Sequence, residues 1–183
     1  GMQRKVHPYK LSIIRIKKVS SWACIRYVEV IDAAGAGFLM SGTFKGLTQA
    51  QIDRRLKDGR GQGQGSDYKP FIYTRDVSSL GRSHRLPGSK TRRLHHLLSD
   101  LELAIFLTLD RSPHVTDIRE QFPMRGEDTV RIAEELGLPH GRYKGTPQVL
   151  TSDFLVDFED PQRPSIAIQA KYSTDLQKPE VIE

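Results

Sequence analysis

Cysteine is almost missing from this chain: one residue, Cys24, stands among 183. A lone thiol excludes an internal disulfide and fits a reducing cytoplasmic compartment. Long hydrophobic runs are missing too. No apolar stretch approaches a membrane span, and no secretory leader pattern is visible. Acidic residues are outnumbered, 22 against 28 Lys and Arg, which leaves a formal charge of +6. That balance suits a polyanionic partner such as DNA without requiring one. The length suits one domain with a buried core and an appendage. Gly1 ahead of Met2 reads as a cloning scar and is set aside.

The stretch from Gln148 to Lys171 carries the most chemistry. Gln148 to Phe158 alternates apolar and polar residues, with Leu150, Phe154, Val156 and Phe158 on one face, which predicts a strand. The breakers between Glu159 and Pro164 predict a turn. Ser165 to Lys171 is then a second strand, with Ile166, Ile168 and Ala170 facing one way and Ala167, Gln169 and Lys171 the other. A short connection makes the two strands antiparallel neighbours, bringing Asp153 towards Gln169 and Lys171. Those last two stand about 6.6 Å apart along one face. A carboxylate facing a polar-x-Lys pair holds the parts for metal-assisted phosphodiester hydrolysis. The acid holds a hard divalent cation, an amide or backbone oxygen adds a ligand, and the amine orients or deprotonates water. The same parts arise on any solvated face of two edge strands, so spacing alone leaves both readings open.

Upstream, Ser99 to Leu109 predicts a helix with a stripe of Leu98, Leu101, Ile105 and Leu109. Glu102 is either the return arm of a capping box begun by Ser99 or an acid that reaches the cation from the helix; one rotamer is not expected to fill both roles. Val115 to Phe122 predicts the first core strand, closed by Pro123, with Asp117 and Glu120 as ion-paired or exposed acids. Between Arg75 and His96 the chain carries six Arg and Lys residues and three His against one carboxylate, Asp76. Such a run neutralises phosphates, which makes Arg82, His84, Arg85, Lys90, Arg92 and Arg93 the candidate DNA contacts. A solvated surface is the plain alternative. Adjacent His95 and His96 point to different faces and no cysteine pair accompanies them, which argues against structural zinc.

Thr48 and Gln51 form a capping-box pattern for a helix over 49–58, with Gly59 as its stop. The loop Gly59 to Gly65 lacks the strand-loop-helix setting of a phosphate cradle and reads as a plain linker, with a flexible basic linker that touches DNA backbone as the alternative. Glu127 to Gly137 predicts another helix. Its phrase Ile132 to Gly137 resembles the first helix of helix-turn-helix regulators, but the breakers between Leu138 and Pro147 count against a recognition helix, so an outward-facing helix between strands is expected. Residues 1–46 form an N-terminal extension with two open readings. One is a pair of strands, Lys10 to Lys18 and Trp22 to Ile31. The other is a translated leader upstream of a natural start at Met40.

Asp153 with Gln169 and Lys171 looks like a PD-(D/E)XK restriction-enzyme core, with Gln169 where Asp or Glu usually stands. A longer resemblance runs from Leu47 to Glu183. Arg60 to Gly65, Gly81 to Arg85, His95 to Leu103, Asp117 to Pro123, Thr151 to Val156 and Ile168 to Lys171 resemble the N-terminal catalytic domain of the TnsA transposon-end endonucleases. This implies an α/β fold: a restriction-endonuclease-like mixed sheet of about four strands flanked by helices. It also implies a metal-dependent DNA endonuclease subunit of a heteromeric transposase, hydrolysing phosphodiester bonds at the 5′ ends of a transposon beside a partner transposase that cuts the 3′ ends. The catalytic set implied is Glu102, Asp153, Gln169 and Lys171. Glu102, Asp153, Gln169 and the carbonyl of Ala170 would hold magnesium, or manganese in its place, and Lys171 would place or activate the water. Family members continue into the rest of the core and a smaller domain that engages an ATPase regulator. Residues 47–183 are therefore expected to be a nuclease domain truncated at its C-terminal end that does not bind the regulator. Two readings compete: a non-catalytic DNA-binding accessory protein that uses the basic run, and a truncated, inactive nuclease remnant.

Overall fold

The computed structural model describes residues 11–15, 25–33, 46–77 and 82–172, with the backbone alone at 11–15, 25–33 and 171–172. Cys24, Met40, Gly81 and the tail from Ser173 lie outside the described residues, as does the side chain of Lys171. The dense Ile and Val of the N-terminal extension form β1 (Leu11–Arg15) and β2 (Ile25–Ala33), paired antiparallel. Helix α1 (Gln49–Lys57) starts at Thr48, whose N–H and hydroxyl donate to Gln51 Oε1 at 2.9 and 3.1 Å. It stops before Gly59, which takes φ +77°.

A hairpin follows, β3 (His84–Pro87) and β4 (Leu94–Leu97), and leads into α2 (Asp100–Arg111) and β5 (Val115–Pro123). Helix α3 (Gly126–Leu136) ends at Gly137, φ +66°. The small ribbon β6 (Arg142–Tyr143) and β7 (Thr146–Pro147) stands where a recognition helix would have to begin, so no helix-turn-helix forms there. The last two strands are β8 (Thr151–Phe158) and β9 (Ser165–Tyr172), antiparallel as the short turn requires. The main sheet runs β1-β2-β9-β8-β5, with β2 and β9 parallel and its other pairs antiparallel. Among the described residues it is thus a mixed sheet of five strands, of which β5, β8 and β9 come from residues 47–183, where about four were expected, and β1 and β2 from the N-terminal extension.

The core lies between α2 and one face of this sheet. Leu101, Ile105 and Phe106 meet Ile118, Phe154, Val156 and Ile168, and Leu97 and Val115 close the ends. Each large side chain buried this way contributes about 1.5–3 kcal/mol. Phe106 takes the deep place expected of Leu109, which is only partly covered. Leu150 also departs from expectation: it precedes β8 and is 44% exposed, and the first buried position of the strand is Ser152.

The glycine-rich stretch is not a plain linker. Gly61 N–H donates to Lys69 O (2.6 Å) and Lys69 N–H to Gln62 O (3.1 Å), folding the loop back on itself. The returning strap runs along the outer edge of β5. There the Tyr68 hydroxyl donates to Glu120 O (3.0 Å) and Phe71 N–H to Gln121 O (3.2 Å), while Arg93 reaches Ile118 O (2.8 Å). A strand edge that would otherwise offer bare carbonyls is covered. No helix among the described residues is long and apolar enough to cross a membrane.

Candidate active site

The site begins where the sheet forks. β8 pairs with β5 along its length, from Thr151↔Pro123 to Phe158↔Val115, but its ladder with β9 runs only from Phe154↔Ile168 to Val156↔Ile166. Asp153 stands one residue beyond the last rung. Its Oδ2 accepts the backbone N–H of Ala170 at 2.5 Å and Gln169 Nε2 at 3.0 Å. The carboxylate therefore bridges the gap that the backbone ladder leaves, and charge-assisted bonds of this kind hold it firmly. The sequence expectation that Asp153 and Gln169 meet is realised. Ala170, expected to contribute through its carbonyl, meets Asp153 through its N–H. Lys171 follows on β9 with its backbone in register with Asp32.

Glu102 comes to the same place from α2. Ser99, the N-cap, accepts the Glu102 N–H on Oγ at 3.1 Å and returns its hydroxyl to Glu102 Oε1 at 3.1 Å. Glu102 Oε2 accepts Leu98 N–H at 2.9 Å and Gln121 Nε2 at 3.2 Å. The residue is 6% exposed. Burial first, and then the negative charge of Asp153, push its pKa up to about 8, although the bonds from Leu98, Ser99 and Gln121 pull the other way. One rotamer therefore closes the helix cap and also lies within the field of Asp153, whereas the sequence pattern sets these roles against each other.

Two carboxylates and a carboxamide are hard oxygen donors, the class that magnesium or manganese prefers. A buried acid whose ionisation is opposed by a second acid is a place where a cation offsets the repulsion. Glu102, Asp153 and Gln169 therefore fit such an ion. Among the described residues no set of three His, Cys, Asp or Glu side chains gathers, so protein carboxylates alone do not make a full shell. His95 and His96 are engaged elsewhere: His95 contacts Glu120 and Thr91 at 2.8 and 2.6 Å, and His96 contacts Thr74 at 3.1 Å.

The basic candidates divide. Arg85 and Arg92 are exposed, the latter in the β3–β4 turn at φ +55°. Arg82 and His84 converge on Asp100, the first residue of α2, at 3.1 and 2.7 Å, and hold its pKa below the ordinary value, His84 having the larger effect. Half-buried Lys90 donates its backbone N–H to Asp110 at 3.3 Å. Arg93 departs from expectation: it turns inward over the Tyr68 ring and meets Glu120 at 2.8 and 2.6 Å, so it is not offered to phosphate. Asp117 and Glu120 are paired as expected, with Arg119 and Arg93 respectively. Sequence reasoning missed Asp100, which stood in a first helical turn, and Gln121; both lay inside segments that carry the resemblance, but no local pattern singled them out.

Residues 112–183 match the family model described as TnsA-like endonuclease N terminal. The chain is also 49% identical over 137 residues to the transposon Tn7 transposition protein TnsA of Escherichia coli, an alignment that takes in 75% of this chain and 50% of that protein. The chain thus spans about half the length of the curated relative it matches.

Proposed function

We propose that residues 47–183, in a chain similar over three quarters of its length to the Tn7 TnsA protein, form a restriction-endonuclease-like domain that cuts DNA. The reaction is hydrolysis of phosphodiester bonds at the 5′ ends of a transposon, within a heteromeric transposase, in the cytoplasm. The observation that carries this reading is the Asp153 carboxylate at the fork of β8 and β9, held by Gln169 and the Ala170 N–H, with buried Glu102 on α2 within reach of its charge.

Glu102, Asp153, Gln169 and the Ala170 carbonyl would hold the magnesium or manganese ion. Bound there, the ion polarises the scissile phosphate and lowers the pKa of an attacking water. Asp153 is held by the Ala170 N–H and the Gln169 amide, and Glu102 by Leu98, Ser99 and Gln121, so neither acid has to be ordered when substrate arrives. Lys171 places or activates the water. Gln169 adds no charge, so the site would rely on a DNA phosphate to help hold the ion. Exposed Arg85 and Arg92, with Arg82 and His84 beside the start of α2, guide the phosphate backbone to the two acids.

The test is nicking of labelled transposon-end duplex in magnesium or manganese, with the partner transposase present. Wild type nicks the 5′ end, whereas Asp153→Ala, Glu102→Gln and Lys171→Ala bind the duplex and leave it intact. DNA binding without nicking by any variant or by wild type under every condition would instead make the chain a DNA-binding accessory protein.

A further inference from the structure

Gln121 occupies an unusual place on β5. The ladder pairs Glu120 with Phe154 and Phe122 with Ser152, so Gln121 stands at the register position opposite Asp153. Its backbone takes φ +49°, the left-handed region that residues bearing a β-carbon rarely enter. Conformations of this kind persist only where surrounding contacts enforce them, and they gather at functional sites. The contacts are present. Gln121 O accepts Phe71 N–H from the strap at 3.2 Å, and its Oε1 accepts the Thr151 hydroxyl at 3.4 Å. Its Nε2 donates to Glu102 Oε2 at 3.2 Å, and the residue is 3% exposed.

The other two bonds to the Glu102 carboxylate come from Leu98 and Ser99, which belong to the start of its own helix. They orient the acid relative to α2 and not relative to the sheet. The Gln121 amide ties it to β5, and Thr151, two residues before Asp153, ties that amide to β8. A kinked backbone and a two-ended amide thus connect the helix acid to the strand acid. We propose that Gln121 is a positioning residue, whose amide fixes the Glu102 carboxylate against Asp153 so that two acids from separate elements make one cation site. The inference rests on the reading of those acids as a cation site.

Three variants of the full chain test it. Gln121→Gly removes the amide and relaxes the backbone, since glycine enters the left-handed region freely. Gln121→Asn tolerates that region but is one methylene short. Asp153→Ala is the control for the metal reading. Crystal structures of wild type and Gln121→Gly are expected to differ at Glu102, with its carboxylate swung away from Asp153 or split between two positions. Electron paramagnetic resonance of Mn²⁺ added with transposon-end duplex is expected to show about 10- to 100-fold weaker binding in Gln121→Gly and Gln121→Asn, the usual cost of losing a residue that orients a ligand. Their thermal unfolding midpoints, measured in parallel, show that both variants are folded at the temperature of the metal titration. A Glu102 carboxylate unmoved in Gln121→Gly overturns the inference, as does Mn²⁺ affinity within twofold of wild type. If Asp153→Ala binds Mn²⁺ as well as wild type, the cation reading has failed on its own, and the crystal comparison alone decides whether Gln121 positions Glu102.

Discussion

Arg93 grips Glu120 with two nitrogens, at 2.8 and 2.6 Å, and the Glu120 side chain is fully buried. His95 adds a contact to the same carboxylate at 2.8 Å, and His96 N–H another at 3.0 Å. Burial works to raise the Glu120 pKa, but the bonds from Arg93 and His95 outweigh it and leave the value at about 2. This cluster joins the β3–β4 hairpin to β5, the strand that carries Gln121. An arginine drawn from a basic run thus serves the scaffold of the site.

Removing Arg93 therefore damages folding before it affects any DNA contact. Arg93→Ala leaves a buried carboxylate without its main partner, and breaking such a pair costs about 3–5 kcal/mol. Urea unfolding at neutral pH measures it; a loss under about 1 kcal/mol would return Arg93 to the surface residues.

Acid sensitivity follows from the same carboxylate. The folded pKa of Glu120, about 2, lies below its unfolded value, so its contribution to stability is complete above about pH 4.5 and drains away as pH falls towards 2. Glu120→Gln is expected to be less stable than wild type at neutral pH, and the gap between them to narrow over that acid window. Unfolding curves collected at stepped pH show whether the gap closes.

Glu102 gives the opposite sign. Its folded pKa, about 8, lies above the unfolded value, so the unfolded chain releases this proton first and stability falls as pH rises from about 4.5 to about 8. In chelator, wild type is expected to lose stability relative to Glu102→Gln across that range. Parallel slopes for the two proteins would show that Glu102 ionises like a surface acid.

Arg85 and Arg92 make the contrasting case to Arg93. Both are exposed, so their alanine variants are expected to unfold within about 0.5 kcal/mol of wild type. Each is expected to weaken DNA binding at all sequences and reduce the salt slope of log K by about 1. Fluorescence anisotropy at several salt concentrations reads the slope, and an unchanged slope removes that residue from the interface.

Metal affinity is expected to depend on DNA. With two carboxylates and a neutral amide as side-chain ligands, magnesium titrated calorimetrically into the free protein should bind poorly, and transposon-end duplex should tighten it. Tight binding to the free protein would mean that a further ligand is present.

Read alone, the sequence determined the elements and the two acids on them. Period-two alternation around Asp153 and Gln169, a breaker-rich turn and a three- to four-residue apolar stripe below Glu102 are local patterns, and local patterns set strand, turn and helix before tertiary contacts form. The tertiary structure alone decided which polar residues are buried. Arg92 and Arg93 are neighbours with the same side chain, yet one faces solvent and the other is spent on Glu120, 27 residues away. The Gly59 to Gly65 loop turned the chain back so that Tyr68 and Phe71 meet the β5 carbonyls, and Gln121 took a left-handed backbone because Phe71, Thr151 and Glu102 converge on it. Burying a charge or straining a backbone is favourable only when distant partners arrive to compensate, and no window of neighbouring residues contains them.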